Sequence, residues 1–344
     1  MGAGADLTAD VAADVAALLG LAANDANGLR LEPCTTSGNN RVYRVHVGTE
    51  TYIAKRYFSH PGDRRDRLHA EYAFVCYAQS IGSRAVPAPI ASNIKRRLAL
   101  YEFVPGAKIM ANQLVEQDVK AAANFIAEIN QSKARQSAAG LTPASEACFS
   151  MAEHVAMIDG RVERLKQIDA VGSLAQAARQ FALEIASRWH ALREPLTHAR
   201  DKDAVIDAAM RLVSPSDFGF HNAIKRPDGT LCFIDFEYAG WDDPAKTIGD
   251  FFSQPAVPVP LAYFDQIAYA ATSHAPRAAV IRDRARRLLP MFQLKWCCIM
   301  MNEFLPVSLE RRRFADPDRD EIAVRQGQLA KARAAFERIP EFLN

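Results

Sequence analysis

Between residues 29 and 57 apolar and polar positions alternate with a period of two. Runs at Leu29–Pro33, Val42–Val47 and Thr51–Tyr57 read as strands, parted by a polar turn over 35–40 and by Gly48-Thr49-Glu50. Ahead of them the spacing is helical: Thr8 is placed to cap a helix to about Leu21, with Asp10 and Asp14 in its early turns. Helical spacing returns from Arg64 to Gln79, with Leu68, Tyr72, Val75 and Cys76 as its apolar stripe. Pro87-Ala88-Pro89 and the charged turn Lys95-Arg96-Arg97 follow, then a strand-like run from Leu98 to Val104 that ends in Pro105-Gly106.

From Gln113 to Met210 the pattern is helical, most clearly over Val119–Ile129 and Leu174–Leu192. Two short apolar strands, Ala223-Ile224 and Leu231–Ile234, flank the turn Arg226-Pro227-Asp228-Gly229, and Asp-Gly between apolar runs is a hairpin signal. After a stretch rich in proline and aromatics, Phe251–Tyr263, helical spacing resumes over Asp265–Ala271, Ala279–Cys298 and Asp320–Phe336. Strands thus cluster early and helices late. The pattern predicts an α+β chain, and its length suits two lobes or domains.

Composition adds bounds. The chain has 344 residues, 49% of them hydrophobic, enough for two lobes with substantial cores. The 42 Lys plus Arg nearly balance the 40 Asp plus Glu, which gives no general case for nucleic acid or a membrane surface as partner. The apolar N-terminal stretch lacks a positive n-region and is interrupted by Asp6, Asp10 and Asp14, so it does not read as a signal peptide, and no run approaches a membrane span. The six cysteines have no zinc-site spacing and read as buried free thiols, which fits a cytoplasmic protein.

The chemistry gathers between Arg211 and Asp250. Asp217 and Asn222 lie five residues apart in one loop, and the hairpin after them delivers Asp235 at the end of an apolar strand. A carboxylate to orient an attacking hydroxyl, and a carboxamide with a second carboxylate to hold divalent ions, is the inventory of phosphoryl transfer. Asp217-x-x-x-x-Asn222, the hairpin, Ile234-Asp235-Phe236 and the run Gly240-Trp241-Asp242-Asp243-Pro244-Ala245 together resemble the aminoglycoside phosphotransferase and choline kinase group of small-molecule kinases. The resemblance implies a bilobal protein-kinase-like fold with its hinge near Pro105: an antiparallel-sheet lobe with a leading helix over 1–105, and a helical lobe over 106–344.

That resemblance implies ATP (or GTP) and Mg2+, with Asp217 as catalytic base and Asn222 and Asp235 as metal ligands. It gives Ser37 and Gly38 a place in the loop over the phosphates, and it sets the adenine against backbone groups from Glu102 to Val104. Lys55 would pair with the phosphates and with Glu71. Alternation puts Ile53 and Lys55 on one strand face and Ala54 and Arg56 on the other, so Arg56 is the rival if that facing is reversed. Pro215 and Ser216 stand where the family commonly has His-Gly, Gly219 where it often has a histidine, and Thr247 where it often has a second Asp. Asp243 or Asp250 is therefore a candidate to support the catalytic loop by hydrogen bonds. His154, His198, Trp189 and His190 receive no role.

Only Phe236–Pro244 separates Asp235 from the next helical run, which favours a small-molecule acceptor over a protein. From Asp265 onward there are 14 Lys plus Arg against 10 Asp plus Glu, which does not suit a polycationic aminoglycoside. Choline would call for an aromatic cage, with Tyr238, Trp241, Phe251 and Trp296 as candidates. A neutral or anionic sugar, or another metabolite alcohol, is preferred. Arg311-Arg312-Arg313 is a solvated face or a grip on an anionic substrate. The alternatives are a catalytically silent nucleotide-binding or sensor protein on the same fold, and a helical interaction protein in which Lys55, Asp217 and Asp235 lie apart. Oligomeric state is open.

Overall fold

The computed structural model describes residues 3–22, 28–34, 40–60, 65–306, 312–313 and 319–340. The turn carrying Ser37 and Gly38, the expected helix start at Arg64, and Arg311 lie outside these residues.

The period-two segments form one antiparallel sheet: β1 (Arg30–Cys34), β2 (Arg41–Val47), β3 (Glu50–Arg56), β4 (Pro89–Asn93) and β5 (Leu98–Glu102), in spatial order β1-β2-β3-β5-β4. One face packs on α1 (Ala3–Leu19), whose Val11 and Val15 meet Tyr43, Val45, Ala54, Leu98 and Leu100. Because α1 starts at Ala3, Thr8 lies inside it and is not its cap.

On the other face lies α2 (Arg67–Ser80), capped by the Asp66 side chain, which accepts from His69 N–H at 3.0 Å. Its buried positions are Arg67, Leu68, Glu71, Phe74, Val75, Tyr77 and Ala78, so Leu68 and Val75 of the expected stripe are buried. That stripe is rotated from the one expected: Tyr72 is half-buried and Cys76 exposed, because the helix turns Glu71 inward. Cys34 is also only partly covered, so the burial expected of all six thiols holds for Cys148, Cys232, Cys297 and Cys298.

The rest of the chain is mostly helical: α3 (Glu116–Glu128), α4 (Ser132–Ser137), α5 (Met151–Leu165), α6 (Ser173–Thr197), α7 (Pro244–Ser253), α8 (Phe264–Thr272), α9 (Ala278–Met300) and α10 (Glu321–Phe336). Short strands interrupt it: β6 (Ala107–Lys108) pairs with β8 (Ala223–Lys225), which pairs with β9 (Leu231–Phe233). Likewise β7 (Leu212–Ser214) pairs with β10 (Gly240–Asp242). Two apolar cores result. One joins α2 to α3, α7 and α8 through Phe74, Phe125, Phe218, Phe233, Phe236 and Phe251; the other joins α5, α6, α9 and α10.

The short strands are fixed from the helical side. Asn130, just past α3, accepts from Val213 N–H at 2.8 Å and donates to Val213 C=O at 2.9 Å, so β7 is gripped on both backbone groups. Gly240 has φ +155°, and a Cβ there would sit 2.3 Å from Thr142 O; only glycine lets β10 pass this close to the 142–144 backbone.

Candidate functional site

β7 ends at Ser214, and the chain turns sharply: Ser216 and Asp217 both have positive φ, +51° and +23°. Such conformations cost a non-glycine residue of order 1–3 kcal/mol and persist where surrounding contacts fix them. Two contacts do so here. Ser216 N–H donates to Ser214 Oγ at 3.0 Å, and Thr247 Oγ1 donates to the same oxygen at 2.9 Å. Asn222 Nδ2 then closes the loop on Asp217 C=O at 3.1 Å, leaving the Asn222 amide oxygen available to a cation. His221 Nε2 stands 3.3 Å from Asp217 Oδ1, a contact between residues four apart that was not singled out from the sequence.

The hairpin brings Asp235 alongside. Ile234 N–H donates to Asn222 C=O at 2.9 Å, and Asp235 itself has φ +68° as the chain leaves β9. Beneath it Phe236 is buried against Phe74 of α2, ring centroids 4.5 Å apart, so the turn at Asp235 is anchored to both halves of the molecule.

β3 supplies the cation. Lys55 is only 6% exposed; it donates to Glu71 Oε2 at 2.6 Å and also to Asp235 Oδ1. Arg56 points the other way, to Asp14 of α1 at 3.2 Å, so the alternation read from the strand is correct and Arg56 is no rival. Tyr57 donates to the same Glu71 oxygen at 2.8 Å and contacts Tyr101 Oη at 2.8 Å. Burial alone would lower the Lys55 pKa; the charges of Asp235, Glu71 and Glu237 override it and hold the ammonium well above its usual range. Burial pushes the Glu71 carboxyl up to about 7, with Asp235 and Glu237 adding to the rise and Lys55 opposing it.

Glu237 was not singled out from the sequence, yet it is fully buried. Asn40, at the start of β2, donates to its Oε2 at 2.5 Å, and Arg67 Nε of α2 lies 3.5 Å away. Asn40 also accepts from Phe58 N–H at 3.0 Å. The segment after Asp235 is therefore tied to the start of β2. Glu102 and Val104 lie apart, at the end of β5, where Glu102 N–H donates to Ala88 C=O at 2.9 Å and its carboxylate accepts from Ala88 N–H at 3.0 Å.

Three expectations need correction. Neither Asp243 nor Asp250 bonds to the Asp217 loop. Asp243 caps α7 and is held by His154 at 2.8 Å and Arg284 at 2.6 Å, while Asp250 binds Lys295 and accepts from Trp296 Nε1 at 2.9 Å. Thr247 instead supports the loop, because a short hydroxyl one helical turn into α7 is what reaches Ser214. His154, given no role from sequence, is a buried partner of Asp243; it lies 89 residues away, so no local pattern marks it. Burial would raise Asp243, but His154 and Arg284 draw its carboxyl down to about 2.

The four aromatics do not form a cage either. Phe251 is in the apolar core and Trp296 is buried on Asp250; Trp241 is covered by Arg135 at 5.0 Å and Tyr238 by Arg65 and Arg67 at 5.5 and 5.9 Å. Arg312 pairs with Glu303 at 3.0 Å, while the exposed Arg313 pairs with Glu321 at 2.6 Å and lies on the solvated face.

Lys55, Glu71 and Asp235 are thus in direct contact, and Asp217 and Asn222 are joined to them through the hairpin. This excludes the interaction-protein reading in which those side chains lie apart. A carboxamide oxygen and a carboxylate that keeps one oxygen free of Lys55 are hard donors that fit Mg2+, which takes one or two carboxylates and completes its shell with phosphates and water. Among the described residues no group of three or more His, Cys, Asp or Glu could hold a metal by itself.

A family profile described as phosphotransferase enzyme family matches residues 31–278, most of the chain. The chain belongs to that family. No curated protein matches it. Among solved structures it is similar to a choline/ethanolamine kinase family protein from Mesorhizobium loti, with 17% identity, TM-score 0.55, and 96% of this chain and 95% of that one covered. It is also similar to a choline kinase from Streptococcus pneumoniae, with 14% identity, TM-score 0.51, and 85% and 89% covered. A spectinomycin phosphotransferase in complex with ADP and spectinomycin gives 12% identity, TM-score 0.52, and 87% and 92% covered. At such identities the likeness concerns the fold, which is the expected protein-kinase-like one: an antiparallel sheet in the first part and a mainly helical remainder. Among the described residues of this family member, no helix is long and apolar enough to cross a membrane.

Proposed function

We propose that this phosphotransferase moves the γ-phosphoryl group of ATP to a hydroxyl of a small molecule, working in the reducing cytoplasm. The observation that carries the reading is the contact of Lys55 with both Glu71 and Asp235, next to a loop in which Asn222 closes on Asp217. The lobes divide near Pro105, residues 1–105 covering the nucleotide and 106–344 supplying the loops and the acceptor pocket.

Nucleotide binds between the lobes. The adenine meets backbone groups from Glu102 to Val104, and the N–H of Glu102 is already committed to Ala88, so its carbonyl and the Val104 amide are the contacts; GTP would use the same groups. Ser37 and Gly38 cover the phosphates with backbone N–H groups. Lys55, oriented by Glu71, meets the α and β phosphates. Asn222 and Asp235 hold Mg2+, which when bound neutralises charge on the phosphates. Asp217 accepts a hydrogen bond from the acceptor hydroxyl and takes its proton late. The acceptor oxygen forms its bond to the γ phosphorus as the bond to the β-phosphate oxygen breaks, and ADP leaves. His221, 3.3 Å from Asp217, helps hold that carboxylate in position.

The test is Mg2+-dependent ADP release across a panel of sugars, sugar acids and amino alcohols, with Asp217→Asn alongside. Transfer to an acceptor, reduced about a hundredfold or more in the variant, supports the reading. The silent nucleotide-binding alternative, motivated by Pro215 and Ser216, predicts metal-dependent ATP binding with no transfer to any acceptor. No nucleotide binding by the native chain sinks both.

A further inference from the structure

Position 219, where the family often has a histidine, is glycine, and the imidazole of His221 lies against it. A Cβ at Gly219 would stand 3.0 Å from His221 Nδ1 and 3.2 Å from its Cε1, closer than side chains normally pack. Gly219 has extended backbone, so its conformation does not call for glycine; the space taken by the ring does. That ring is fixed through its neighbours. Phe220 is fully buried against Phe251, ring centroids 5.8 Å apart. Asn222 donates to Asp217 C=O through Nδ2 and to Gly219 C=O through its backbone N–H, both at 3.1 Å. His221 sits between these two anchored residues, with Nε2 toward Asp217 Oδ1 at 3.3 Å.

The two ring nitrogens differ. Nδ1 is buried, and among the described residues nothing bonds to it. In the neutral ring, a proton on Nδ1 would bury a donor without an acceptor and turn the bare Nε2 lone pair toward a carboxylate oxygen. The proton therefore belongs on Nε2, aimed at Oδ1, and contacts at catalytic groups commonly tighten when substrate binds. The other oxygen, Asp217 Oδ2, has no partner among the described residues, and the side chain is 32% exposed, so Oδ2 is the oxygen open to an incoming group.

We infer that His221 is a positioning residue that gives the two oxygens of Asp217 different tasks: Nε2–H holds Oδ1, and Oδ2 takes the proton of the acceptor hydroxyl. Gly219 belongs to the same device, because it leaves room for the ring. The inference rests on the phosphotransferase reading above. In the transfer the acceptor O–H bond breaks toward Oδ2 as the acceptor oxygen bonds to the γ phosphorus and the bridging oxygen leaves with ADP. Holding Oδ1 removes a rotation of the carboxylate that would otherwise have to be frozen during the reaction, so the gain falls on the chemical step and not on nucleotide binding.

The test joins a spectroscopic readout to kinetics. Nitrogen NMR shifts of the full chain with isotope-labelled histidine are recorded at about pH 8, where an imidazole is ordinarily neutral, with His221→Gln to assign the signals. His221 should show a protonated Nε2 and a bare Nδ1, and Asp217→Asn should move the Nε2 signal. In Mg2+-dependent ADP release with the acceptor panel above, His221→Ala should lower kcat about tenfold or more while KM for ATP changes less than about twofold. His221→Gln, whose amide can donate to Oδ1, should recover most of that loss. Gly219→Ala should lower kcat several-fold while the ring is present and have no further effect beside His221→Ala. Thermal melts establish that each variant is folded. A proton on Nδ1, an Nε2 signal indifferent to Asp217→Asn, an unchanged kcat in folded His221→Ala, or a Gly219→Ala loss that persists without the ring overturns the inference. The expected NMR shifts with no ADP release by the native chain keep the pairing of His221 with Oδ1 and remove the phosphotransferase reading; ADP release with kcat indifferent to His221 does the reverse.

Discussion

The Thr247 hydroxyl donates to Ser214 Oγ at 2.9 Å, joining α7 to the strand that enters the Asp217 loop. The same Ser214 oxygen accepts from Ser216 N–H, so one hydroxyl pair supports two residues of positive φ where the family commonly relies on a histidine. Thr247→Val keeps the shape and removes the donor. It should cost about 1 kcal/mol in denaturant unfolding and lower kcat several-fold with little change in KM for ATP. Unchanged kcat would mean that the loop is held by other contacts.

Lys55 and Arg56 should behave oppositely. Lys55→Met leaves Glu71 and Asp235 without their shared cation, costs about 2–4 kcal/mol of stability, and removes most nucleotide affinity. Arg56→Met breaks a partly exposed pair with Asp14 on the far side of the sheet and should cost less than about 1 kcal/mol. Displacement of a fluorescent nucleotide reads both, and equal losses would contradict the facing of β3.

Asn40→Ala should loosen the sheet from the segment after Asp235, because Glu237 then keeps a buried carboxylate oxygen without its 2.5 Å donor. A loss of roughly 1–3 kcal/mol in stability is expected. Glu237→Gln, which retains a hydrogen-bonding oxygen, should recover part of the loss when added to Asn40→Ala. A double-mutant cycle with no coupling between the two positions would dismiss the link.

His274 gives stability a pH dependence. Its Nε2 lies 2.9 Å from the Arg211 carbonyl, just before β7. Burial lowers its pKa to about 4, helped by the Arg135 charge and opposed by that hydrogen bond. The folded value is below the ordinary one near 6.5, so between these limits the unfolded chain binds the extra proton. Stability is then fully present above about pH 6.5 and declines as the pH falls toward 4, by up to about 2 kcal/mol after allowance for partial solvent exposure. His274→Gln should flatten that part of the curve, as followed by urea midpoints at several pH values; an unaltered slope would assign it to other groups.

Gly249 meets Phe292 where α7 packs on α9, and a Cβ there would lie 2.2 Å from the ring. Gly249→Ala should cost about 1–3 kcal/mol and lower Tm by several degrees, since neither buried helix has room to shift freely. A melt indistinguishable from the native chain would show that the ring can move aside.

The sequence by itself determined the sheet-then-helix order, the face of β3 that carries Lys55, and the Asp217, Asn222 and Asp235 series, because each is written in short-range periodicity or in spacing across one hairpin. Glu71 was also legible, as an acid on the helix that follows β3. Tertiary structure alone decided which groups hold these in place. Asn40 meets Glu237 across 197 residues, His154 meets Asp243 across 89, and Thr247 reaches Ser214 across 33. Helical periodicity reports that a face is buried but treats a buried charge as an error in the stripe, which is why Glu71 rotated the expected face of α2 and left Cys76 outside. The buried pair of Lys295 on α9 with Asp250 on α7 escaped notice for the same reason: a charge reads as solvated until folding brings its counter-charge from another helix. Local pattern sets which elements form, whereas desolvation and pairing between distant elements set what the site can bind.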